Sequence, residues 1–273
     1  MAGEPDGPSP QPAPALVCGL DLGGTKLLGV VLDPSTDGPP LLEEKVATPS
    51  GGPAVVDALV DLTTRLAAQA EAQLGRSVHG VGLGAQGLVD RSGTLRSGPN
   101  LPGVVDLDFA TALGDRVGLP VTVDNDATCA AWGEHERGAA RGCNHSVTVT
   151  LGTGIGAGIT VKGELLRGAH GFAGEPGHMV VDPDGPLCPC GRRGCWERYA
   201  SGSGLGRLAH RRSFRLRFLS GCRSSSRLME FVYPVDSFGA DCGETTVNVL
   251  LTVKNKRDAE ASRSRDHWKI SWI

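Results

Sequence analysis

The sequence predicts an α/β fold built from two related lobes. A strand, a glycine turn and a second strand open the chain at residues 16–32 (LVCGLDLGGTKLLGVVL). The same arrangement recurs at residues 146–161 (SVTVTLGTGIGAGITV). An internal repeat of this kind indicates two lobes of common architecture that face each other.

Hydrophobic spacing and turn residues give the first lobe the order β-β-β-α-β-α-β-α. Residues 41–47 predict a third strand. Apolar side chains at helical spacing between residues 53 and 74 predict a helix that ends at Gly75. The remaining predicted elements are a strand at 78–83, a helix at 109–117, a strand at 120–123 and a helix at 127–141.

The second lobe repeats only the beginning of this order. Its glycine hairpin is followed by a long stretch rich in turn residues, and then by a helix near residues 196–208. Beyond that helix, residues 245–254 have the character of a strand, but no glycine turn or helix accompanies them. We therefore expect the second lobe to be incomplete.

Composition divides the chain into four segments. Only three of the 40 glycines follow residue 206, and the net charge is −9 before that point and +6 after it. The predicted segments are a disordered Pro-rich tail at 1–15, an N-terminal lobe at 16–123, the start of a larger C-terminal lobe at 124–206, and an atypical segment at 207–273. The last is either a lineage-specific tail or a sequence that has left its parental register by a frameshift, an aberrant splice or an assembly error.

Charge and cysteine usage exclude several classes of protein. The net charge of −3 predicts no attraction to nucleic acid, and no apolar run is long enough to cross a membrane. The N-terminus lacks the basic start and apolar centre of a signal peptide. Eight cysteines are too dispersed for a disulfide framework in a chain of 273 residues. These features predict a cytoplasmic protein.

The stretch from Glu175 to Glu197 (EPGHMVVDPDGPLCPCGRRGCWE) has the features of a metal site. Its potential ligands are one imidazole and three thiolates, from His178, Cys188, Cys190 and Cys195. This set is typical of a closed structural Zn²⁺ site. The alternative is a disulfide or a group of unrelated thiols. A bound zinc ion would hold the loop rigid and fix the glutamates at its two ends, which suits a ligand site.

Each glycine turn is a candidate phosphate-binding loop. Backbone N–H groups in such a turn can approach phosphate oxygens, and the acid before the first turn can orient Mg²⁺ through coordinated water. The candidates are Asp21, Gly23, Gly24, Thr25 and Lys26 in the first turn and Gly152, Thr153, Gly154 and Gly156 in the second. Either turn alone is more simply an ordinary hairpin. Two equivalent turns in facing lobes, however, suggest a clamp on one polyphosphate.

The segment VTVDNDA is a strand that ends in Asp124, Asn125 and Asp126, where a helix begins. Such residues serve well as helix N-caps. The functional alternative is a general base, since a carboxylate at a strand end can accept a hydroxyl proton during phosphoryl transfer. For that role we select Asp126.

A second polar candidate lies in the rigid loop GPNLPG. Asn100 is either an ordinary turn residue or an amide that offers a donor and an acceptor to adjacent sugar hydroxyls. Glu175 and Glu197 are candidates for the same recognition.

These motifs together resemble the ROK family (repressors, open reading frames and sugar kinases), and within it bacterial glucokinases most of all. The motifs that carry the resemblance are DLGGTK, GPNLPG, VDNDA, LGTGIGAG, EPGHM and CPCGRRGCWE, in that order and spacing over roughly residues 16–208. The resemblance implies an actin-like ATPase (ribonuclease H-like) fold, in which two α/β lobes close over a cleft that holds ATP and a hexose.

The resemblance also implies a role for each matching position. Asp126 is expected to be the catalytic base that takes the proton of the sugar 6-hydroxyl. The expected sugar contacts are Asn100, Asn125, Glu175, His178 and Glu197, and the expected phosphate and Mg²⁺ side consists of Asp21, Gly23, Gly24, Thr25 and residues 152–156. His178 is expected to place one ring nitrogen on zinc and the other on a sugar hydroxyl. Family members also suggest a homodimer.

Three hypotheses for function follow, because the family pattern is not recognisable after Gly206. The first is a hexose kinase that converts ATP and glucose to glucose 6-phosphate, with an N-acetylhexosamine kinase as its variant. The second is a catalytically impaired remnant that binds zinc and sugar. The third is a sugar-responsive transcription repressor, which requires a DNA-binding domain ahead of DLGGTK, where the sequence has only the Pro-rich tail.

Overall fold

The computed structural model describes residues 15–210 and 248–253. In chain order, the elements are β1 (Leu16–Leu22), β2 (Lys26–Leu32), β3 (Leu42–Ala47), α1 (Gly52–Leu74), β4 (Val78–Ala85), β5 (Leu88–Val89), β6 (Thr94–Ser97), β7 (Leu107–Asp108), α2 (Phe109–Val117), β8 (Val121–Asn125), α3 (Asp126–Arg137), β9 (His145–Leu151), β10 (Ile155–Val161), β11 (Glu164–Leu165), a 3₁₀ turn (Pro176–His178), α4 (Glu197–Ala200), α5 (Gly202–His210) and β12 (Asn248–Val253). The predicted order of the first lobe is confirmed, and β12 confirms the late strand. Among the described helices, none has the length and apolar character needed to cross a membrane. Residues 1–14 of the predicted tail at 1–15 and most of the segment at 207–273 lie outside the described residues.

The first sheet, of order β3-β2-β1-β4-β8, carries the main hydrophobic core. α1 packs on β1, β2 and β3 and buries Leu59, Leu62 and Leu66 completely. Their spacing of three and four residues places them on one face of the helix. α2 adds the fully buried Phe109 and Leu113 to the same core.

The second sheet repeats the topology of the first. Its order, β11-β10-β9-β12, corresponds strand by strand to β3-β2-β1-β4. β1 and β2 form an antiparallel hairpin, as β9 and β10 do. β4 runs parallel to β1, just as β12 runs parallel to β9. The internal repeat predicted from the sequence is therefore present in the fold, and the two glycine turns occupy equivalent positions in it.

α3 connects the two sheets. It begins directly after β8 of the first sheet and packs on β9 and β10 of the second. Gly158 on β10 allows this close approach, because a Cβ atom there would overlap Ala131 and lie 3.1 Å from the carbonyl oxygen of Ala127. The N-terminus of α3 is thereby held between the two sheets.

We expect Gly158→Val to lower the free energy of unfolding by about 1–3 kcal/mol, because the branched side chain must push α3 away from β10. Denaturant unfolding followed by far-UV circular dichroism would measure the change. Gly133→Ala is a matched control on α3, since nothing lies within 4 Å of the methyl group it would add. Wild-type stability of the Gly158→Val variant would contradict the close packing.

Two helix predictions are wrong in detail. The helix expected at 196–208 is divided into α4 and α5, because Ser201 has an extended backbone and its hydroxyl accepts a hydrogen bond from the Gly204 N–H at 3.0 Å. The helix expected to reach residue 141 ends at Arg137. Gly138 follows, and its N–H donates to the carbonyl oxygen of Glu134, which closes the last turn.

A small sheet of order β5-β6-β7 was not predicted. Its first turn is closed by the Asp90 carboxylate, which accepts hydrogen bonds from the backbone N–H groups of Ser92 and Thr94. Strands of two to four residues are too short to reveal an alternating pattern. This sheet matters for the site because the GPNLPG loop lies between β6 and β7.

Candidate functional site

Asp126 is the first residue of α3, where the two sheets meet. The side chain of Asn125 caps the helix, since its Oδ1 accepts hydrogen bonds from the N–H groups of Ala127 (2.9 Å) and Thr128 (3.1 Å). Its Nδ2 donates to the Gly87 carbonyl oxygen (3.0 Å) and to Asp126 Oδ1 (3.1 Å). The amide of Asn125 thus serves as an N-cap and orients the Asp126 carboxylate. The carboxylate lies at the positive end of the helix dipole.

An ion pair joins the end of β8 to a loop of the second lobe. Arg167 Nε donates to Asp124 Oδ2 at 2.8 Å, and the Asp124 side chain is only 13% exposed. Arg167 lies in the loop that follows β11 and leads to Glu175. The ion pair therefore links the segment that carries Glu175 to the strand that precedes Asp126.

The thiol of Cys129, on the first turn of α3, is affected by the negative charge around Asp126. Although Cys129 is solvent-accessible, desolvation by its surroundings raises the pKa of its thiol to about 12, and the negative charges of Asp124, Asp126 and Asp21 contribute in the same direction. Asp21 at the end of β1 and the acids at the end of β8 therefore face one region.

Glu175 faces this region from the second lobe. Desolvation raises the pKa of the Glu175 carboxyl, the nearby His178 opposes the shift, and the charges of Asp126 and Glu197 add to it. Such charge effects between side chains are substantial only at short range. The Asp126 and Glu197 carboxylates therefore lie close enough to Glu175 for their charges to act on it.

The four predicted metal ligands form a cluster. One ligand atom from each of His178, Cys188, Cys190 and Cys195 lies within 4.8 Å of the other three. Cys188 Sγ is 3.6 Å from His178 Nδ1, and Cys190 Sγ is 3.5 Å from Cys195 Sγ. Ligand atoms of a tetrahedral zinc ion are about 3.4–3.8 Å apart when the bonds have their usual lengths. The donor set is one that zinc favours, and these two distances fall within that range.

The sulfur distances argue against the disulfide alternative. A disulfide requires sulfur atoms about 2.05 Å apart, and all three cysteines of the cluster are free. Burial raises the pKa of the Cys188 thiol to about 12 and also raises that of Cys195. The pKa of Cys190 is lowered, because hydrogen bonds, first among them that from the Arg192 backbone, outweigh desolvation. Three adjacent thiolates would need a nearby cation to coexist.

Glu197 lies between the metal cluster and the second glycine turn. Its Oε1 is 3.4 Å from Cys188 Sγ and 3.8 Å from His178 Nδ1. Its other oxygen, Oε2, would be 3.0 Å from a Cβ atom on Gly154. The metal cluster and the β9–β10 turn therefore meet at one carboxylate.

The β9–β10 turn is braced by the start of α5. The Gly202 N–H donates to the Gly152 carbonyl oxygen at 2.8 Å, and the Ser203 hydroxyl donates to the Thr153 carbonyl oxygen at 2.7 Å. Gly156, predicted with this turn, lies on β10, where a Cβ atom would be 2.8 Å from a side chain of α3. The close packing of α3 on β10 therefore explains the glycine at this position.

The first glycine turn contacts the GPNLPG loop. The tip of the turn is closed by a hydrogen bond from the Gly23 N–H to the Lys26 carbonyl oxygen at 3.1 Å. A Cβ atom on Gly24 would lie 2.6 Å from the Asn100 carbonyl oxygen, so only glycine fits there. Asn100 Nδ2 in turn donates to Gln86 Oε1 at 3.2 Å.

Thr48 on the segment after β3 supports the same turn. Its hydroxyl donates to the Gly23 carbonyl oxygen at 2.7 Å, and its N–H donates to the Thr25 carbonyl oxygen at 3.1 Å. The side chains of Thr25 and Lys26 are exposed. The backbone of the turn is thus fixed while its polar side chains are accessible.

His178 faces both halves of the site. Its Nδ1 lies beside Cys188, and its Nε2 is 4.0 Å from Glu175 Oε2. The structure therefore brings the predicted metal ligands next to the predicted sugar contacts of the second lobe. Arg167 and Gln86 were not predicted from the sequence, because their partners come from distant elements. Cys129 was not predicted either, although a helical projection from Asp126 would have placed it on the same side of α3.

Comparison with known proteins gives one consistent result. The ROK family model matches residues 17–230. The chain is 42% identical over 199 residues to a glucokinase of Streptomyces coelicolor and 35% identical over 191 residues to an N-acetylmannosamine kinase of Citrobacter koseri. A crystal structure of a ROK family glucokinase from Streptomyces griseus, in complex with glucose and AMPPNP, superposes with a TM-score of 0.63 at 44% identity.

These matches cover most of this chain but only part of each relative. They span 72%, 70% and 72% of this chain and 60%, 63% and 61% of the respective relatives. The chain thus spans about three fifths of the length of the proteins it matches. The described residues have the actin-like ATPase fold of the ROK sugar kinases. From its sequence motifs, its repeated sheet topology and these matches, the chain belongs to the ROK family.

Proposed function

We propose that the chain acts as a hexose kinase, which transfers the γ-phosphoryl group of ATP to the 6-hydroxyl of glucose with Asp126 as general base. The observation that carries this proposal is the proximity of Asp126 and Glu197 to Glu175, with Glu197 also beside the second glycine turn. Hydroxyl-rich ligands need several carboxylate and amide partners, and a base must lie next to the hydroxyl it deprotonates.

The proposed sugar contacts come from both lobes. The first lobe contributes Asn100, and the second contributes Glu175, Glu197 and the Nε2 atom of His178. Asn125 has a different proposed role, because its amide already caps α3 and donates to Asp126. We assign to Asn125 the orientation of the base.

The two glycine turns form the proposed ATP side. Backbone N–H groups of the first turn would bind phosphate oxygens, with Thr25 and Lys26 adding exposed polar side chains. Asp21, at the end of β1, would hold Mg²⁺ through water, as magnesium favours one or two carboxylates together with phosphates. Gly152, Thr153 and Gly154 would provide the opposing turn.

Zn²⁺ fits the cluster of His178, Cys188, Cys190 and Cys195 by donor set and spacing. We propose a structural role, in which the ion fixes the loop and leaves His178 Nε2 directed to the sugar. No step of the reaction passes through this site.

The chemical step requires little of the protein beyond placement and charge. Asp126 accepts the proton of the 6-hydroxyl while its oxygen bonds to the γ-phosphorus and the bond to ADP breaks. Closure of the two lobes would exclude water, which competes with the sugar for the same phosphoryl group. Similarity to glucokinases supports glucose as substrate, and the family resemblance leads us to propose a cytoplasmic homodimer.

Product analysis tests the proposal directly. The full chain would be incubated with ATP and Mg²⁺ and, in parallel, with glucose, N-acetylglucosamine or N-acetylmannosamine, and phosphorylated products identified by mass spectrometry. We expect glucose 6-phosphate as the main product. A preference for an N-acetylhexosamine would correct the substrate, whereas calorimetric glucose binding without any product would reject the kinase in favour of a sugar-binding remnant.

A further inference from the structure

We propose that Arg167 is a positioning residue that holds the sugar-binding side of the second lobe against the strand that leads to Asp126. The inference rests on the proposed function, because it assigns Arg167 a task in the same reaction. Residues 166–175, which run from the end of β11 to Glu175, form a bridging loop.

The ion pair of Arg167 with Asp124 joins the bridging loop to β8. The Nε to Oδ2 distance is 2.8 Å, and the side chains of Arg167 and Asp124 are 39% and 13% exposed. Because the Asp124 carboxylate is largely withdrawn from water, loss of the guanidinium would leave a mostly buried charge without its ion-pair partner. The planar guanidinium also fixes the direction of the hydrogen bonds that it donates, whereas the ammonium of lysine, on a flexible stem, does so less well.

Two hydrogen bonds through Asn125 connect Asp124 to the proposed base, Asp126. Asp124 Oδ1 accepts a hydrogen bond from the Asn125 N–H at 2.9 Å, and Asn125 Nδ2 donates to Asp126 Oδ1 at 3.1 Å. Arg167 thus acts on Asp126 through the polar groups at the start of α3.

The other end of the connection is the bridging loop itself. The Ala173 N–H donates to the Arg167 carbonyl oxygen at 3.2 Å, which closes the loop on Arg167. The next residue, Gly174, accepts a hydrogen bond from the Ala157 N–H on β10 at 3.1 Å. A shift of Arg167 would therefore be transmitted to Glu175, which follows directly.

The bridging loop also packs on the first lobe. Gly171 is buried, and a Cβ atom there would lie 2.8 Å from the Val89 carbonyl oxygen on β5. The loop therefore contacts the first lobe at two places, β5 and the end of β8. The bridging loop thereby fixes the position of the proposed sugar contact Glu175 relative to the proposed base Asp126.

The test compares Arg167→Met, Arg167→Lys, Asp124→Asn and the double variant Arg167→Met/Asp124→Asn in the full chain. Asp124→Asn removes the charge but keeps an acceptor for the Asn125 N–H. Arg116→Met is the control, since Arg116 forms an exposed ion pair with Asp57 between α1 and α2. Calorimetry would give glucose Kd and the number of active sites, and sugar-dependent ADP release would give kcat and KM.

We expect Arg167→Met to lower kcat/KM by about 10²-fold, as a misplacement of about 1 Å does. Both a lower kcat and a higher glucose KM and Kd are expected, because the base and Glu175 are displaced together. Arg167→Lys should recover part of the loss. The double variant should be no worse than the poorer single variant, since both changes remove the same interaction.

An ion pair that is merely structural would reduce the melting temperature and the number of active sites but leave kcat and KM per site unchanged. That result would overturn the inference, and so would additive losses in the double variant. If the wild-type protein binds glucose and turns over while the variants match it, the inference alone fails. A wild-type protein that neither binds glucose nor releases ADP rejects the proposed function and, with it, this inference.

Discussion

Asp126→Asn is expected to reduce sugar-dependent ADP release by about 10²–10⁴-fold, which corresponds to about 3–5 kcal/mol in the activation barrier. The substitution removes the proposed proton acceptor but preserves the shape of the side chain. Its amide oxygen can still accept the hydrogen bonds that the Ala127 N–H and Asn125 Nδ2 donate to Asp126 Oδ1. Coupled measurement of ADP release at saturating glucose and ATP would give the change in kcat.

A measurement of glucose binding distinguishes loss of the general base from loss of the sugar-binding site. We expect the Asp126→Asn protein to bind glucose with a Kd close to that of the wild type, because Glu175, His178 and Glu197 are untouched. Asp115→Asn on α2, whose side chain is exposed, is a matched control and should keep full activity. Turnover of the Asp126→Asn protein near the wild-type rate would remove Asp126 from the role of general base.

Sequence patterns predicted the parts of this fold that depend on neighbours in the chain. α1 follows from apolar residues at helical spacing, and the two hairpins follow from strand, glycine turn and strand. The cluster of His178, Cys188, Cys190 and Cys195 also belongs to this class, because all four residues lie within one short stretch. The observed clustering therefore agrees with the site predicted from the sequence.

The parts that sequence analysis missed depend on contacts between distant segments. Arg167 and Asp124 are separated by 43 residues, and Gln86 and Asn100 by 14. Only the arrangement of the sheets brings such partners together. Gly156 illustrates the same limit, since its motif indicated a phosphate loop whereas its position on β10 is explained by contact with α3. Whether Gly156 also approaches phosphate stays a prediction.

The role of Ser201 shows why helix boundaries were less predictable. A run of residues with helical composition extends across this position, but the serine hydroxyl accepts a hydrogen bond from the Gly204 N–H and begins a new helix. The break between α4 and α5 also affects the candidate site. It directs the start of α5 at the carbonyl oxygens of Gly152 and Thr153, which braces the second glycine turn.

Removal of the proposed zinc ion is expected to unfold the loop between Glu175 and Glu197 and to weaken glucose binding at least about tenfold, or about 1.4 kcal/mol. The reason is that this loop contains little core of its own. Met179, Val180, Val181 and Leu187 are 46–59% exposed, so apolar burial contributes little to holding it. In zinc-finger peptides, structural zinc contributes about 10–16 kcal/mol of apparent binding energy, and much smaller coupling would suffice here.

Cys195→Ser is the sharpest variant for this prediction, because Cys195 is fully buried and its sulfur lies 3.5 Å from that of Cys190. Zinc content would be measured by mass spectrometry of the metal, stability by thermal unfolding, and glucose affinity by calorimetry. Each kcal/mol lost should lower Tm by about 2–4 °C. Cys143→Ser, outside the cluster, should retain one zinc ion and wild-type affinity.

Chelation of the wild-type protein should reproduce the effects of Cys195→Ser, and added Zn²⁺ should reverse them in the wild type alone. The loss of stability and the loss of glucose affinity have one expected cause. His178 belongs to the metal cluster and faces Glu175, a proposed sugar contact, while Glu197 contacts the cluster and the β9–β10 turn. A zinc-free protein with unchanged Tm and glucose affinity would show that the cluster does not support the sugar site. A loss of Tm with unchanged glucose affinity would confine the role of zinc to stability.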